Sequence, residues 1–393
     1  MNGILRFLAS DEAFALRREL AAPPATPEPD PLRLVTALRG RVSGELARAL
    51  AEQVLLERRA FAKFPDPTLL LLERVALEQA TSPAIATFHA AALPRGARVV
   101  DLGCGLGADA RAFARAGHAV VAVDRDPARA FLARHNLEVA FAEGAAGALV
   151  VAGDATALPA RGDVLFADPD RRRGRGRTFA LRDTSPDAAT IRGLLPRFAR
   201  ALVKAPPAIP DEDVPRDASV DFLSEGGECR EALLRFGEGA EPGRVRAVLA
   251  ATGETRTVPP GPRARVASPG AFLLDPDPAL RRAGGVDGLA EELDAGRVAP
   301  DVTYLFAAAA PRTPWARAYR VLEVFAYRKR DLDRRLAADP PRELVVKQRG
   351  AGIAEADVRR GVPRSADGPA RTVILWPDGA RRLACLAEVV DPR

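Results

Sequence analysis

Five apolar runs, "RVVDLG", "HAVVAVD", "ALVVAG", "DVLFAD" and "RALVKA", follow one another between Arg98 and Ala205. Helical stretches stand between them: 108–116, stopped by Gly117, and another opened by Asp126-Pro127. Near-continuous apolar strands joined by helices predict a parallel sheet covered on both faces, because parallel neighbours need a long crossover. The order then breaks. "VDFLSE" (220–225) and "EALLRF" (231–236) are separated by little more than Gly226-Gly227, with no room for a crossover helix. An antiparallel pair therefore closes the parallel sheet.

The first strand runs into "DLGCGLGAD" (101–109). Gly103, Gly105 and Gly107 let the backbone come close to a ligand and leave amides pointing at it from a helix start. Read loosely, Gly103-x-Gly105-x-x-Ala108 also fits the dinucleotide pattern. Three features favour another cofactor. Asp101 beside the loop suits a ligand carrying positive charge and an ammonium group better than a pyrophosphate. Asp124, 23 residues on at the end of the second strand, can accept both ribose hydroxyls. Asp154, followed by Ala155 in "GDAT", stands where an adenine amino group would be read. This donor and acceptor chemistry matches S-adenosylmethionine better than NAD.

The chain of 393 residues is long enough for two or three domains. Its first part reads as helices. Ser10 caps a segment with Phe14, Leu16 and Leu20, Asp30-Pro31 opens another, Leu46, Leu50 and Val54 repeat the spacing, and one further helix is expected over 72–92. Beyond the sheet come short strand-like pieces and the helix start "DPDPALRRAG". The end reads as a helix over "WARAYRVLE", another opened by Asp331, a strand "ELVVKQRG", and a hairpin of "TVILW" and "RRLACL" around Pro377-Asp378-Gly379. The boundaries are 1–89 for the helical region, 90–240 for the sheet domain, 241–312 for a connection and 313–393 for the final unit.

The net charge of +6 and isoelectric point near 9.7 invite a nucleic-acid partner. Only four of 58 basic residues are lysine, the signature of a GC-rich coding bias, so local clusters inform more than the total. No stretch approaches the roughly 20 apolar residues of a membrane span, and the N-terminus lacks the pattern of a signal peptide. Cys104, Cys229 and Cys385 lie far apart and the three histidines are scattered, so no metal and no disulfide framework are expected. A cytoplasmic protein fits.

"VVDLGCGLGAD", "VVAVDRDP", "AGDAT" and "FADPD", in this order, resemble the class I S-adenosylmethionine-dependent methyltransferases over about 90–240. The resemblance implies an α/β fold: a seven-stranded Rossmann-like sheet whose last strand is inserted antiparallel. "LEQAT" (77–81), "FADPDRRRGRGRTF", "LVKAPPAIP", "SEGGECREALLRF", "TPWARAYRVLEVF" and "ELVVKQRG" are similar to a bacterial methyltransferase group that ends in a small α+β THUMP-like domain. THUMP domains proper are RNA-binding modules of tRNA-modifying enzymes. The resemblance thus implies RNA, rRNA or tRNA, as partner and substrate.

Asp168-Pro169-Asp170 ends the fourth strand, where amino-methylating members of the fold carry Asn or Asp, two prolines and an aromatic ring. Asp168 is the candidate base for an acceptor that carries a proton. Asp168 and Pro169 keep that pattern, whereas Asp170, Arg171 and Arg172 stand in place of the second proline and the ring; with Pro169 they are the substrate-binding candidates. An arginine plane can stack on a base or hold phosphate, and Phe179 is a second candidate for stacking. Five arginines between Arg171 and Arg177 read as a phosphate grip or as a solvated loop. Lys204, ending the fifth strand, is a further substrate-binding candidate. Trp315 and Trp376 read as core. Two rival functions stand beside the RNA enzyme: the same chemistry on a protein or small molecule, and a binding module that no longer catalyses.

Overall fold

The computed structural model describes residues 3–21, 28–64, 67–142, 144–145, 147–154, 157, 161–171 and 184–390. These form two compact units, one containing nearly all of the chain to residue 254, the other nearly all that follows.

The first unit holds the expected strands: β1 Arg98–Leu102, β2 Ala119–Asp124, β3 Ala148–Ala152, β4 Val164–Ala167, β5 Arg200–Ala205, β6 Ser219–Glu225 and β7 Glu228–Gly237. Two more, β8 Val245–Leu249 and β9 Glu254–Thr257, extend the edge, so the order is β3-β2-β1-β4-β5-β7-β6-β8-β9. The seven expected strands thus gain two. β6 would otherwise be an open edge, and its backbone is taken up when Val220 N donates to Arg244 O and Ala250 N to Ser224 O. β1 to β5 pair in parallel, and β7 runs antiparallel to β5. Val99, Val100, Leu165 and Phe166 are all buried, as a sheet covered on both faces requires.

Helices α1 Gly3–Leu8, α2 Asp11–Leu20, α3 Pro31–Ala37 and α4 Gly44–Ala60 precede the sheet. Ser10 accepts from Ala13 N and Asp30 from Leu32 N, the caps that the sequence announces. The helix expected over 72–92 is two, α5 Arg74–Gln79 and α6 Pro83–Ala91. Pro83 has no N–H to donate and pushes Ser82 out of helical geometry, so the helix restarts there with Ser82 as its cap. The boundary at residue 89 is not a break in packing. Leu50, Leu70 and Leu71 share one core with Leu106 and with Leu132 of helix α8 (Pro127–Ala142). Asn136 of α8 accepts from Leu71 N at 2.8 Å and donates to the carbonyls of Leu71 and Leu106, each at 3.0 Å. Buried Arg17 pairs with Glu57 at 2.8 Å and donates to Leu70 O.

In the second unit, a seven-stranded sheet runs β11-β12-β10-β13-β16-β15-β14. Its strands are β10 Phe272–Pro276, β11 Gly296–Arg297, β12 Leu305–Ala307, β13 Ala316–Ala326, β14 Glu343–Gln348, β15 Ala370–Asp378 and β16 Arg381–Val389. Strands from both sides of residue 312 share this sheet, so that boundary does not separate two structures. "WARAYRVLE", expected as a helix, lies in β13 from Ala316 onwards. Partners on both sides claim its backbone, and a bulge between Val321 and Glu323 breaks the alternation that marks a strand. The closing hairpin is as expected, with β15 and β16 antiparallel. Trp315 and Trp376 are buried core residues. Among the described residues no helix is long and apolar enough to cross a membrane.

Candidate active site

The carboxyl ends of β1, β2, β4 and β5 open into a cavity of about 1120 Å³. Its floor is built by the glycine turn. Gly103, Gly105 and Gly107 all have positive φ, at 83°, 54° and 80°, which residues with a Cβ seldom adopt. A Cβ on Gly103 would lie 2.8 Å from the Asp168 carbonyl oxygen, and Asp168 N donates to Leu102 O at 3.1 Å. The ends of β1 and β4 therefore touch, and Asp101 and Asp168 are brought to one place. Gly107 does not line the cavity. As the N-terminal flank of helix α7 (Ala108–Arg115) it donates to Cys104 O and faces Ala133 of α8, so its expected contact with a ligand is replaced by helix packing.

Asp124 sits 7 % exposed at the end of β2. Its Oδ2 accepts from Gly105 N at 3.0 Å and its Oδ1 from Asp126 N at 2.9 Å, which fixes the carboxylate against the loop. Each oxygen keeps a second lone pair for a ligand. Asp154 lines the same wall. Ala155, Arg172, Phe179 and the other arginines of 173–177 lie outside the described residues. Asp170 and Arg171 are described by their backbone, which pairs antiparallel with Ser185 and Thr184. Asp101, Gly103, Gly105, Asp168, Pro169 and Lys204 all line the cavity.

Lys204 is not a free cation waiting for substrate. Its Nζ donates to Asp168 Oδ2 at 2.7 Å and to Thr81 Oγ1 at 2.8 Å, with Asp109 and Glu231 each at 3.7 Å. Thr81 in turn donates to Asp109 Oδ2 at 2.5 Å. Behind them lies His89 of α6, fully buried, with Nδ1 2.8 Å from Asp109 and Nε2 2.6 Å from Glu231 of β7. Both ring nitrogens face carboxylates, the arrangement of an imidazolium that donates twice. Burial works against that charge, but Glu231 and Asp109 outweigh it and raise His89 to about 9. Burial likewise opposes ionisation of Asp109, yet Lys204 and His89 bring it down to about 2. Lys204 is disfavoured by burial too, and is held above the ordinary lysine range by Asp168, Asp109 and Glu231.

Within this cluster two carboxylates remain open to a ligand. Asp101 is 1 % exposed, and its Oδ2 has no hydrogen-bond partner. Burial, and then Asp109 and Asp168, push its carboxyl well above the usual range. The Asp168 side chain, 38 % exposed, opens into the cavity with only Oδ2 engaged. Enclosure by the walls of the cavity raises its carboxyl and Lys204 pulls against it. Four carboxyl groups thus face two cations, and ionising all four leaves the end of the cavity short of positive charge.

Thr81, His89, Asp109 and Glu231 were not singled out from the sequence. Thr81 and Asp109 stand in the quoted "LEQAT" and "DLGCGLGAD", but only the fold shows that they meet Lys204. His89 and Glu231 are 142 positions apart. No spacing rule joins them.

The THUMP domain-like family matches residues 316–388. Over 343 residues, 84 % of this chain and 93 % of the relative, the sequence is 31 % identical to an uncharacterised S-adenosylmethionine-dependent methyltransferase of Mycobacterium tuberculosis strain CDC 1551 / Oshkosh; the H37Rv strain has a relative with the same identity and coverage. A solved structure of a proposed methyltransferase from Porphyromonas gingivalis W83 aligns with a TM-score of 0.79 at 21 % identity, covering 97 % of this chain and 99 % of that one. The strand order, the glycine turn and this relatedness agree: the chain belongs to the S-adenosylmethionine-dependent methyltransferases, with a THUMP-like domain at its C-terminal end.

Proposed function

We propose that this enzyme methylates structured RNA, rRNA or tRNA, in the cytoplasm, and that Asp168 is the base that takes the proton of the acceptor. The observation that carries the chemistry is the Asp168 carboxylate, fixed through one oxygen by Lys204 and open to the cavity through the other. The THUMP domain-like match over 316–388 favours RNA as the acceptor.

The cavity residues fit the methyl donor. The buried, unpartnered Asp101 Oδ2 offers an acceptor to a cationic amine, Asp124 keeps lone pairs for the ribose hydroxyls, and the excess of carboxylates suits a ligand with a sulfonium. When bound, S-adenosylmethionine supplies an electrophilic methyl group. The chain must then align the acceptor with that methyl and exclude water. Asp168 orients an acceptor N–H and receives its proton as the new bond forms. Lys204, kept charged by three carboxylates, holds Asp168 in place. Pro169 stiffens the chain beside it, and Asp170, Arg171 and Arg172, next in the sequence, are the substrate-binding candidates.

One observation favours a second reading. Among the described residues no aromatic ring lines the cavity, so an acceptor held by charge and hydrogen bonds, such as an amine of a protein or small molecule, also suits it. Mass spectrometry of nucleosides from total RNA of a deletion strain and its parent separates the two. Loss of one methylated nucleoside in the deletion strain is the expected result; identical nucleoside profiles would refute the RNA reading.

A further inference from the structure

The second unit contains a charge cluster that methyl transfer does not use. Asp275, near the end of β10 and 8 % exposed, accepts from Lys347 Nζ at 2.6 Å and from Arg349. β13, β16 and β15 stand between β10 and β14 in the sheet order, yet Lys347 of β14 reaches a residue of β10. The sheet must curl until these strands meet across one face. Leu273, Phe306, Tyr319, Ile374 and Trp376 pack within the curl, and Asp275 shares Leu273's face of β10 at its mouth.

Four cations gather there. The Arg349 guanidinium lies 4.6 Å from the centre of the Tyr304 ring, and Lys347 Nζ lies 5.9 Å from that of Tyr319. Arg317, directly opposite Asp275 on β13, is also 5.9 Å from the Tyr319 ring. Arg281, on helix α10 (Pro278–Arg282), donates through Nε to Pro276 O at 3.1 Å. Burial, and next the charge of Arg349, hold the Arg281 guanidinium below its ordinary range. Against these stand Asp275 and Asp277, the latter occupied in capping α10. Arg281 and Arg317 form no ion pair among the described residues. Lys347 and Arg349 are already fixed by Asp275 and the rings, so they lose little side-chain freedom when an anion arrives.

An uncompensated, partly fixed group of cations spread over β10's neighbours, α10 and β14 is matched by several phosphates in a row. Arginine forks bind phosphate in two-pronged fashion. We propose that the mouth of this curled sheet grips the sugar-phosphate backbone of RNA through Arg281, Arg317, Lys347 and Arg349. The identity of the polyanion rests on the RNA reading above; the site itself rests on the cluster.

The test uses the full chain and labelled tRNA, titrated across a series of salt concentrations. R281Q/R317Q leaves the Asp275, Lys347 and Arg349 contacts in place. The expected result is a loss of roughly tenfold or more in RNA affinity, with the slope of log K against log salt shallower by about 1.5–2. Thermal stability and donor affinity should stay at wild-type values. Unchanged affinity and slope in a variant whose parent binds tRNA would overturn this site and leave the RNA reading standing. No tRNA binding by the unaltered chain, with inorganic phosphate still protecting it against heat and R281Q/R317Q abolishing that protection, would assign the cluster to a small anion and overturn the proposed backbone grip.

Discussion

Two lysines at strand ends show how the halves of this molecule use charge in opposite ways. Lys204 in the first unit is one ammonium shared among Asp168, Asp109 and Glu231. In the second unit Asp275 is one carboxylate shared between Lys347 and Arg349, with Arg281 and Arg317 close by and in no ion pair among the described residues. One centre lacks cations and the other lacks anions. Each imbalance costs stability in the free protein and is relieved by a ligand of the missing sign. The first suits a cationic methyl donor, the second a polyphosphate chain.

The largest effects are expected at the lysines themselves. Lys204→Met strands three carboxylates at a site where the lysine side chain is only 10 % exposed, and should cost about 3–5 kcal/mol in urea denaturation. Lys347→Met leaves Asp275 with Arg349 and should cost less, roughly 1–3 kcal/mol. Equal losses would mean that the two centres are the same kind of structural ion pair.

A smaller effect is expected at Asp124. Asp124→Ala should weaken donor binding by about 1–3 kcal/mol, because a hydroxyl pair loses its buried acceptor. Wild-type affinity by calorimetry would remove Asp124 from the ribose role. The same change should leave tRNA binding untouched, since the polyanion site lies in the other sheet.

The buried histidine makes the first centre sensitive to pH. His89 is raised in the folded protein to about 9. Its contribution to stability is therefore complete below the unfolded value near 6.5 and lost as pH rises through about 9. Asp109, lowered to about 2, contributes fully above its ordinary value near 3.8, and that contribution fades only as pH falls towards 2. Denaturation midpoints across this range should drop on the alkaline side, and His89→Gln should flatten that limb. An alkaline limb that persists in His89→Gln would assign it to other groups.

The smallest expected signal is proton release. The Asp101 carboxyl is raised in the free protein and a cationic ligand favours its ionised form. Donor binding should then expel a fraction of a proton and tighten as pH rises. Calorimetry in buffers of different ionisation heat reads this directly. Asp101→Asn should abolish the release, and methylthioadenosine, which lacks the amino-acid moiety, should produce less of it.

Much of the first unit was legible in the sequence because its signals are local. Each strand of the parallel sheet is a continuous apolar run, and the turn after β1 demands glycine at three positions, two of which meet the cavity. Asp101, Asp124, Asp154, Asp168 and Lys204 could be named because strand ends are where such a sheet places its ligands. What escaped was the three-dimensional part. His89 and Glu231 become partners only when α6 packs beside β7, and Lys204 becomes a positioning group only when Asp168 is found beside it. In the second unit the bulge in β13 hid a strand inside what looked like a helix, and "ELVVKQRG" could be recognised without any hint that Lys347 and Arg349 reach across to Asp275. Charge closing a curl over three intervening strands leaves no periodic trace.

Asp168 as the base in methyl transfer to RNA is tested by incorporation of labelled methyl groups into total RNA from a deletion strain, by wild-type enzyme and by Asp168→Ala. The expected result is labelling by wild type and a fall of about 10²–10⁴ in the variant, with donor affinity largely kept. Wild-type rates of labelling by Asp168→Ala would contradict it.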